Sequence, residues 1–333
     1  MAVVASLFVS LVGCGGGPSE VVVYTALDED FSAPIFREFT GETGITVLPA
    51  YDTESTKTVG LTTRIIEESK RPRCDLFWNN EILNTIRLER QGLLRPYKSP
   101  AAGGYPKEVQ SPSGMWYGFA ARARVLVVNT NRIADVRRPK SIRDLADPQW
   151  GDQCAIAKPL FGTTATHAAC LFASWGDKEA QEFLIDVKRN ARIMAGNKQV
   201  AQAVAAGTLI FGLTDTDDAI VEIENGMPVT IVYPDQGNGQ VGTLFIPNTL
   251  ALIAESPNPE AAEQLLDYLL SSDAERRLAD GPSAQIPLRK GVPASPRVKT
   301  PAEVRPMSVD WAAAAAKWDA AAEFLKNEFA GAQ

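Results

Sequence analysis

The sequence predicts an α/β protein folded as two lobes with a cleft between them. Three observations carry this. Short β-branched runs alternate with amphipathic segments along most of the chain, the pattern of repeated βαβ units and a mostly parallel sheet. At 333 residues the chain exceeds one ordinary core and suits two units of roughly 150 residues each. The run WYGFAARARVLVVNTN, residues 116–131, reads as two strands with little helix between them, a place for the chain to leave the first lobe.

The elements follow in order. EVVVYTA (20–26) is a β-branched strand, and DEDFSAPIFREFTGETG (28–44) a helix with Ser32 as cap and Gly44 just past its end. ITVLPA (45–50) is the next strand. ESTKTVGLTTRIIEESK (54–70) carries Val59, Leu61, Ile65 and Ile66 at helical spacing. CDLFWN (74–79) and EILNTIRLERQG (81–92) make a third strand and helix. Beyond the crossing, QCAIAKP (153–159) is a strand, followed by helices in 164–176, 178–191 and 198–207. TLIFGL (208–213) is a strand, DDAIVEIENG (217–226) a helix, and VTIVYP (229–234) closes this lobe. GTLFIPNTLALI (242–253) is the return strand, and helices follow in 258–272, 273–281 and 308–329. The first lobe is expected to comprise residues 20–126 plus 244–295. The second would comprise 127–243 plus 296–333 with the C-terminal helices.

Composition narrows the function. No run reaches the ~18 apolar residues of a membrane span. A net charge of −7 argues against nucleic acid or an anionic membrane surface as a general partner. The first residues are separate. An apolar run ends in Leu11, Val12, Gly13 and Cys14, and Gly15, Gly16 and Gly17 follow. This resembles a bacterial lipoprotein signal over 1–13, with Cys14 the lipidated residue and 14–19 a tether, although no Lys or Arg precedes the apolar run. The remaining thiols are Cys74, Cys154 and Cys170. Cys154 and Cys170 flank one strand-to-helix unit and could pair, or all three could be buried free thiols. The single histidine, His167, cannot build a zinc site alone and is read as structural.

In α/β sheets ligands sit at the carboxyl ends of strands, so the polar residues there are the candidate site. The most conspicuous are in TLIFGLTDTDDAIVEI (208–223), where an apolar strand ends in Thr214, Asp215, Thr216, Asp217 and Asp218. Carboxylates so placed repel one another, and burial raises their pKa unless positive charge compensates. A hard cation or an ammonium group would provide it. Alternatively, one Asp caps the next helix and the others are solvated. Gly162, Thr163 and Thr164 begin a helix and could hold an anion on backbone N–H groups and hydroxyls, or be an ordinary helix start. Asn79, Asn80 and Glu81 follow an apolar strand and could contact a polar ligand, or Asn80 could be a plain cap. Tyr233 and Tyr24 could each offer a phenol or simply pack. Arg122 and Arg124 alternate with alanines along the crossing strand and could form an interlobe ion pair or meet a bound anion, the structural role being favoured.

These residues also carry a family resemblance. PKSIRDLADPQWGDQCAIAKP (139–159) and SPNPEAAEQLLDYLLSSDAERRLA (256–279), with GITV, CDLFWNNE and ARARVLVVNTN in the same order, resemble the periplasmic solute-binding proteins of ABC importers. The likeness is strongest to the ferric-ion-binding branch and spans nearly the whole chain after the leader. It implies a type II-like two-lobe fold closing on a small ligand, a monomeric receptor, and a permease and ATPase as partners. It also implies a periplasmic or cell-surface location, here with a lipid anchor. In that branch a Tyr pair holds iron, a His, Tyr or Glu from first-lobe loops assists, and an anion sits at a helix start. Here the Tyr pair falls on Thr216 and Asp217, the His near Asp28, and the acidic ligand near Asn80, with Glu81 adjacent. The anion loop is kept as Gly162, Thr163 and Thr164.

The resulting expectation is a binding protein for Fe3+ or a similar hard cation, with phosphate or carbonate as partner anion and Asp215 and Asp217 as metal ligands. The other reading within binding is a small zwitterion such as an aminophosphonate. An enzyme on the same scaffold is the remote alternative. There is no G-x-S-x-G elbow, P-loop or Rossmann fingerprint.

Overall fold

The computed structural model describes residues 19–52 and 58–331. Cys14, the proposed leader and most of the tether lie outside them. The first βαβ units form as their patterns require. Strand β1 (Glu20–Thr25) leads into helix α1 (Glu29–Thr43), then β2 (Thr46–Tyr51), α2 (Val59–Glu67), β3 (Leu76–Asn79), α3 (Leu83–Arg90) and the short β4 (Leu94–Arg95). Helix α1 ends on Gly44 in the left-handed conformation, φ 74°, which glycine adopts without steric cost. Its first residue boundary differs from expectation. Asp28 occupies the cap position, and Ser32 is buried inside the helix with its hydroxyl on the Asp28 carbonyl.

The chain then crosses the molecule in one strand, not two. Strand β5 (Trp116–Asn129) is 14 residues long and buried throughout. Its first part pairs antiparallel with β10 (Phe245–Ile253), from Trp116 opposite Ala251 to Ala123 opposite Phe245. Its last part pairs with β8 (Phe211–Asp215), Arg124 standing opposite Asp215, and with β9 (Val229–Val232). The remaining second-half elements are β6 (Cys154–Ala157), α4 (Gly162–Trp175), α5 (Asp177–Asn190), β7 (Arg192–Met194), α6 (Asn197–Ala205) and α7 (Thr216–Glu224). Helices α8 (Pro259–Leu269), α9 (Ser272–Asp280) and α10 (Trp311–Phe329) follow β10. The sheet has 10 strands, ordered β2-β1-β3-β10-β5-β8-β6-β7, with β4 on β10 and β9 on β5. Strands β1, β2 and β3 run parallel, as do β6, β7 and β8. Two parallel half-sheets therefore share the antiparallel strand β5.

The crossing is stitched by side chains. Ala120 has φ 41°, where β5 shifts register against β10. Its N–H donates to Glu275 and its carbonyl accepts from Asn248, so neither backbone group is left unpaired in the interior. Helix α10 lies against α4 and α3, where Arg87 pairs with Asp319 and stacks over Trp318. The thiols of Cys74, Cys154 and Cys170 are buried and free, so the pairing of Cys154 with Cys170 does not form. Cys154 Sγ instead sits near the Leu145 carbonyl, at 3.8 Å.

Gly212 on β8 leaves no room for a side chain. A Cβ there would lie 2.4 Å from Val200 of α6 and 3.0 Å from the Ala155 carbonyl of β6. Gly212→Ala is expected to lower stability by about 1–3 kcal/mol through overpacking, read as an earlier thermal melting transition.

Candidate functional site

Strands β1, β3, β6, β7 and β8 all point their carboxyl ends at one region, and the turns that follow them meet there. Asp28 comes from the turn after β1 and Asn80 from the turn after β3. Lys158, Phe161, Gly162, Thr163 and Thr164 come from the β6–α4 turn, and Ala195, Gly196 and Asn197 from the β7–α6 turn. Asp215, Asp217 and Asp218 come from the β8–α7 junction, and Arg122 reaches in from β5. Together they line a polar cavity of about 30 Å³. That volume suits a water-sized occupant or a bare ion.

Its chemistry is set by two arginines on one face of β5. Residues two apart on a strand share a face, so Arg122 and Arg124 point the same way. Both are almost fully buried. Arg124 donates to Asp215 Oδ1 at 2.8 Å, to Thr163 and Asn197 at 3.1 Å each, and to Thr164 at 3.1 Å. The other Asp215 oxygen accepts from Thr163 at 2.6 Å and Asn197 at 3.0 Å. Arg122 lies 3.3 Å from Asp217 and 4.0 Å from Asp215.

The positive charge expected from a ligand is thus partly supplied from within. Burial works to raise the Asp215 pKa, but Arg124, Arg122 and the Thr163 hydroxyl outweigh it and hold the carboxyl below its usual range. Both Asp215 oxygens accept from protein donors, so Asp215 serves as an internal counter-charge to Arg124 while still offering an oxygen to the acidic cluster. Asp217 and Asp218 remain at the cavity, with ligand oxygens within 4.8 Å of one another and of Asp215. Asn80 adds a buried Oδ1 with no hydrogen-bond partner. An acceptor oxygen of this kind, beside carboxylates, suits a hard cation.

Other candidates are placed differently. Glu81 is fully buried. It accepts from the N–H groups of Leu83 and Asn84 at the start of α3, from Asn79, and from Thr166 of α4. It therefore caps a helix and joins the two halves, and Asn79 belongs to the same network. Thr216 accepts from the Ala123 N–H of β5. The Tyr233 hydroxyl accepts from the Lys299 N–H, and burial drives its pKa up to about 12. None of these four lines the cavity. Tyr24 donates to Glu68 under the Arg64 guanidinium. Lys158 and Asn197 escaped the sequence reading. The signal for Asn197 was indirect: β7 has only three residues, but a parallel strand must return the chain after α5 before α6 can start.

Two stability tests follow. Asp215→Asn leaves the Arg124 charge buried without its counter-ion and is expected to cost about 3–5 kcal/mol, read by denaturant unfolding of the empty protein; relief of carboxylate repulsion would instead have stabilised it. His167 is neutral: burial first, and Arg124 second, lower its pKa to about 3 against an opposing pull from Asp215. The unfolded chain takes up this proton near pH 6.5 while the native one does not. The contribution is therefore complete above about pH 6.5 and lost as pH falls toward 3, by at most about 1.4 kcal/mol per unit. His167→Gln should flatten that slope.

Comparison with known proteins agrees with this geometry. The family described as bacterial extracellular solute-binding protein matches residues 84–317. Iron uptake protein A2 of Synechocystis sp. is 29% identical over 248 residues, covering 70% of each chain. The major ferric iron-binding protein of Neisseria meningitidis is 23% identical, covering 82% of each. The crystal structure of iron-bound HitA from Pseudomonas aeruginosa superposes with a TM-score of 0.84 at 26% identity, covering 92% of this chain and 99% of that one. AfuA from Actinobacillus pleuropneumoniae, with fructose-6-phosphate bound, has a TM-score of 0.84 at 18% identity, a likeness of fold alone. The turns, the crossing strand and the match over most of its length agree: this chain belongs to the bacterial extracellular solute-binding proteins.

Proposed function

We propose that this chain captures ferric iron or a similarly hard cation outside the cytoplasm and delivers it to the permease and ATPase of an ABC importer. The observation that carries the reading is the all-oxygen cluster of Asp28, Asp217, Asp218 and the unpartnered Asn80 Oδ1 around a cavity of about 30 Å³. The iron uptake protein of Synechocystis and the ferric iron-binding protein of Neisseria, both relatives of this chain, support the choice of metal. Phosphate or carbonate would accompany the ion at the start of α4, where Gly162, Thr163 and Thr164 lie beside Lys158. The hydroxyls of Thr163 and Thr164 are engaged with Arg124, Asp215 and Asn197, so the backbone N–H groups would hold the anion. Residues 20–126 plus 244–295 and 127–243 plus 296–333 would act as the lobes, hinging where β5 crosses. Lipidation of Cys14 would keep the receptor at the membrane. The small volume of this cavity, about 30 Å³, favours the cation over an aminophosphonate.

No tyrosine lines the cavity, so the iron complex should lack a visible phenolate-to-iron absorption band. The direct test is thermal melting with ferric citrate, with and without phosphate or carbonate, against 2-aminoethylphosphonate. A ligand present at 100 times its Kd stabilises by about 2.7 kcal/mol, and iron is expected to do so. Asp217→Asn should weaken that shift. Stabilisation by the aminophosphonate alone would replace the cation reading with the zwitterion one.

A further inference from the structure

Helices normally satisfy their first N–H groups with a local side chain at the cap position. In this protein α9 and α10 do so, through Ser271 and Asp310. The three second-half helices that open onto the cavity do not, and neither do α1, α2, α3, α5 and α8. Phe161 before α4, Gly196 before α6 and Asp215 before α7 make no side-chain cap hydrogen bond. The polar side chains at these starts turn inward instead, onto one guanidinium. Arg124 bonds Thr163 and Thr164 of α4, Asn197 of α6, and Asp215 before α7. It is completely buried and does not itself line the cavity.

We infer that Arg124 is the positioning residue of the cargo site: its planar fork assembles the second-half wall by holding the three helix starts in register. Four acceptors from three separate segments converge on it, a geometry a flexible ammonium cannot reproduce. Each segment carries cavity residues: Gly162 beside Thr163, Gly196 beside Asn197, and Asp217 and Asp218 just beyond Asp215. The starts also bond one another through Asn197, Thr163, Asp215 and Thr214, but Arg124 is the one side chain that bonds all three segments at once. The affinity arm of the test rests on the cation reading above; the exchange arm does not.

The test compares wild type with Arg124→Lys, Arg124→Met and Asn197→Ala by peptide-resolved amide hydrogen exchange on the empty protein. The two Arg124 variants are expected to speed exchange at the starts of both α4 and α6 by about tenfold or more, while β1 and β3 keep their protection. Asn197→Ala should loosen the start of α6 only. Arg124→Lys keeps the charge, yet affinity for iron supplied as ferric citrate should fall about 10- to 100-fold, as when a partner behind the ligands is lost. Asp217→Asn should lose affinity with exchange unchanged. If Arg124→Met does not fold, the Lys and Asn197 variants decide. Unchanged protection at both helix starts in Arg124→Lys would overturn the inference, as would a uniform rise across both half-sheets. Failure of wild type to bind any iron would sink the cation reading alone, and the exchange pattern would still judge Arg124.

Discussion

A charged guanidinium with no exposure to water, facing a carboxylate with almost none, is the constraint around which the second half is built. Taking either charge out of water alone would cost several kcal/mol. Arg124 and Asp215 are tolerable because they stand opposite each other across the β5–β8 ladder and because Thr163, Thr164 and Asn197 add further hydrogen bonds to them, although the Arg124 Nε–H has no partner. The ladder register, the start of α4 and the start of α6 are therefore parts of one electrostatic solution. A slip of one residue in β5 would turn both arginines to the opposite face, against the cluster that buries Ala121, Ala123, Val125 and Val127.

The same strand changes character halfway along its inner face. Arg122 and Arg124 serve the cavity, while Leu126 and Val128 continue that face into the main apolar core. Charge is thus concentrated where the two half-sheets meet and withdrawn elsewhere. The helix starts add to this. Their aligned peptide dipoles present partial positive charge, which favours an anion, while Asp28, Asp217 and Asp218 favour a cation. Both kinds of group border one cavity. Arg122 answers part of the Asp217 charge from inside.

Much of this was legible from residue order. The βαβ rhythm, the crossing at 116–131, the return strand and the clustering of polar residues at strand ends all follow from periodicity and from the rule that ligands sit at carboxyl ends of parallel strands. The family likeness extended that reading to the cargo. Asp28, Asn80, Gly162, Thr163, Thr164, Asp217 and Asp218 do line one cavity. What misled was the treatment of the acidic knot as a local feature. Thr214 to Asp218 read as unbalanced charge because the balancing groups are about ninety residues upstream, on a strand whose arginines looked merely structural.

The sequence by itself determined the alternation of elements, the segments that end in polar turns and the absence of a tyrosine pair, because each of these is set by neighbours within a few residues. Only the tertiary structure decided which oxygens are free. Asp215 is engaged by Arg124, Glu81 by α3 and Thr166, Thr216 by the β5 backbone and Tyr233 by Lys299, whereas Asn80 keeps an unpartnered Oδ1. The physical reason is that a hydrogen bond satisfies a polar group wherever its partner lies in the chain. Availability for a ligand is therefore a property of the folded neighbourhood and not of the residue type.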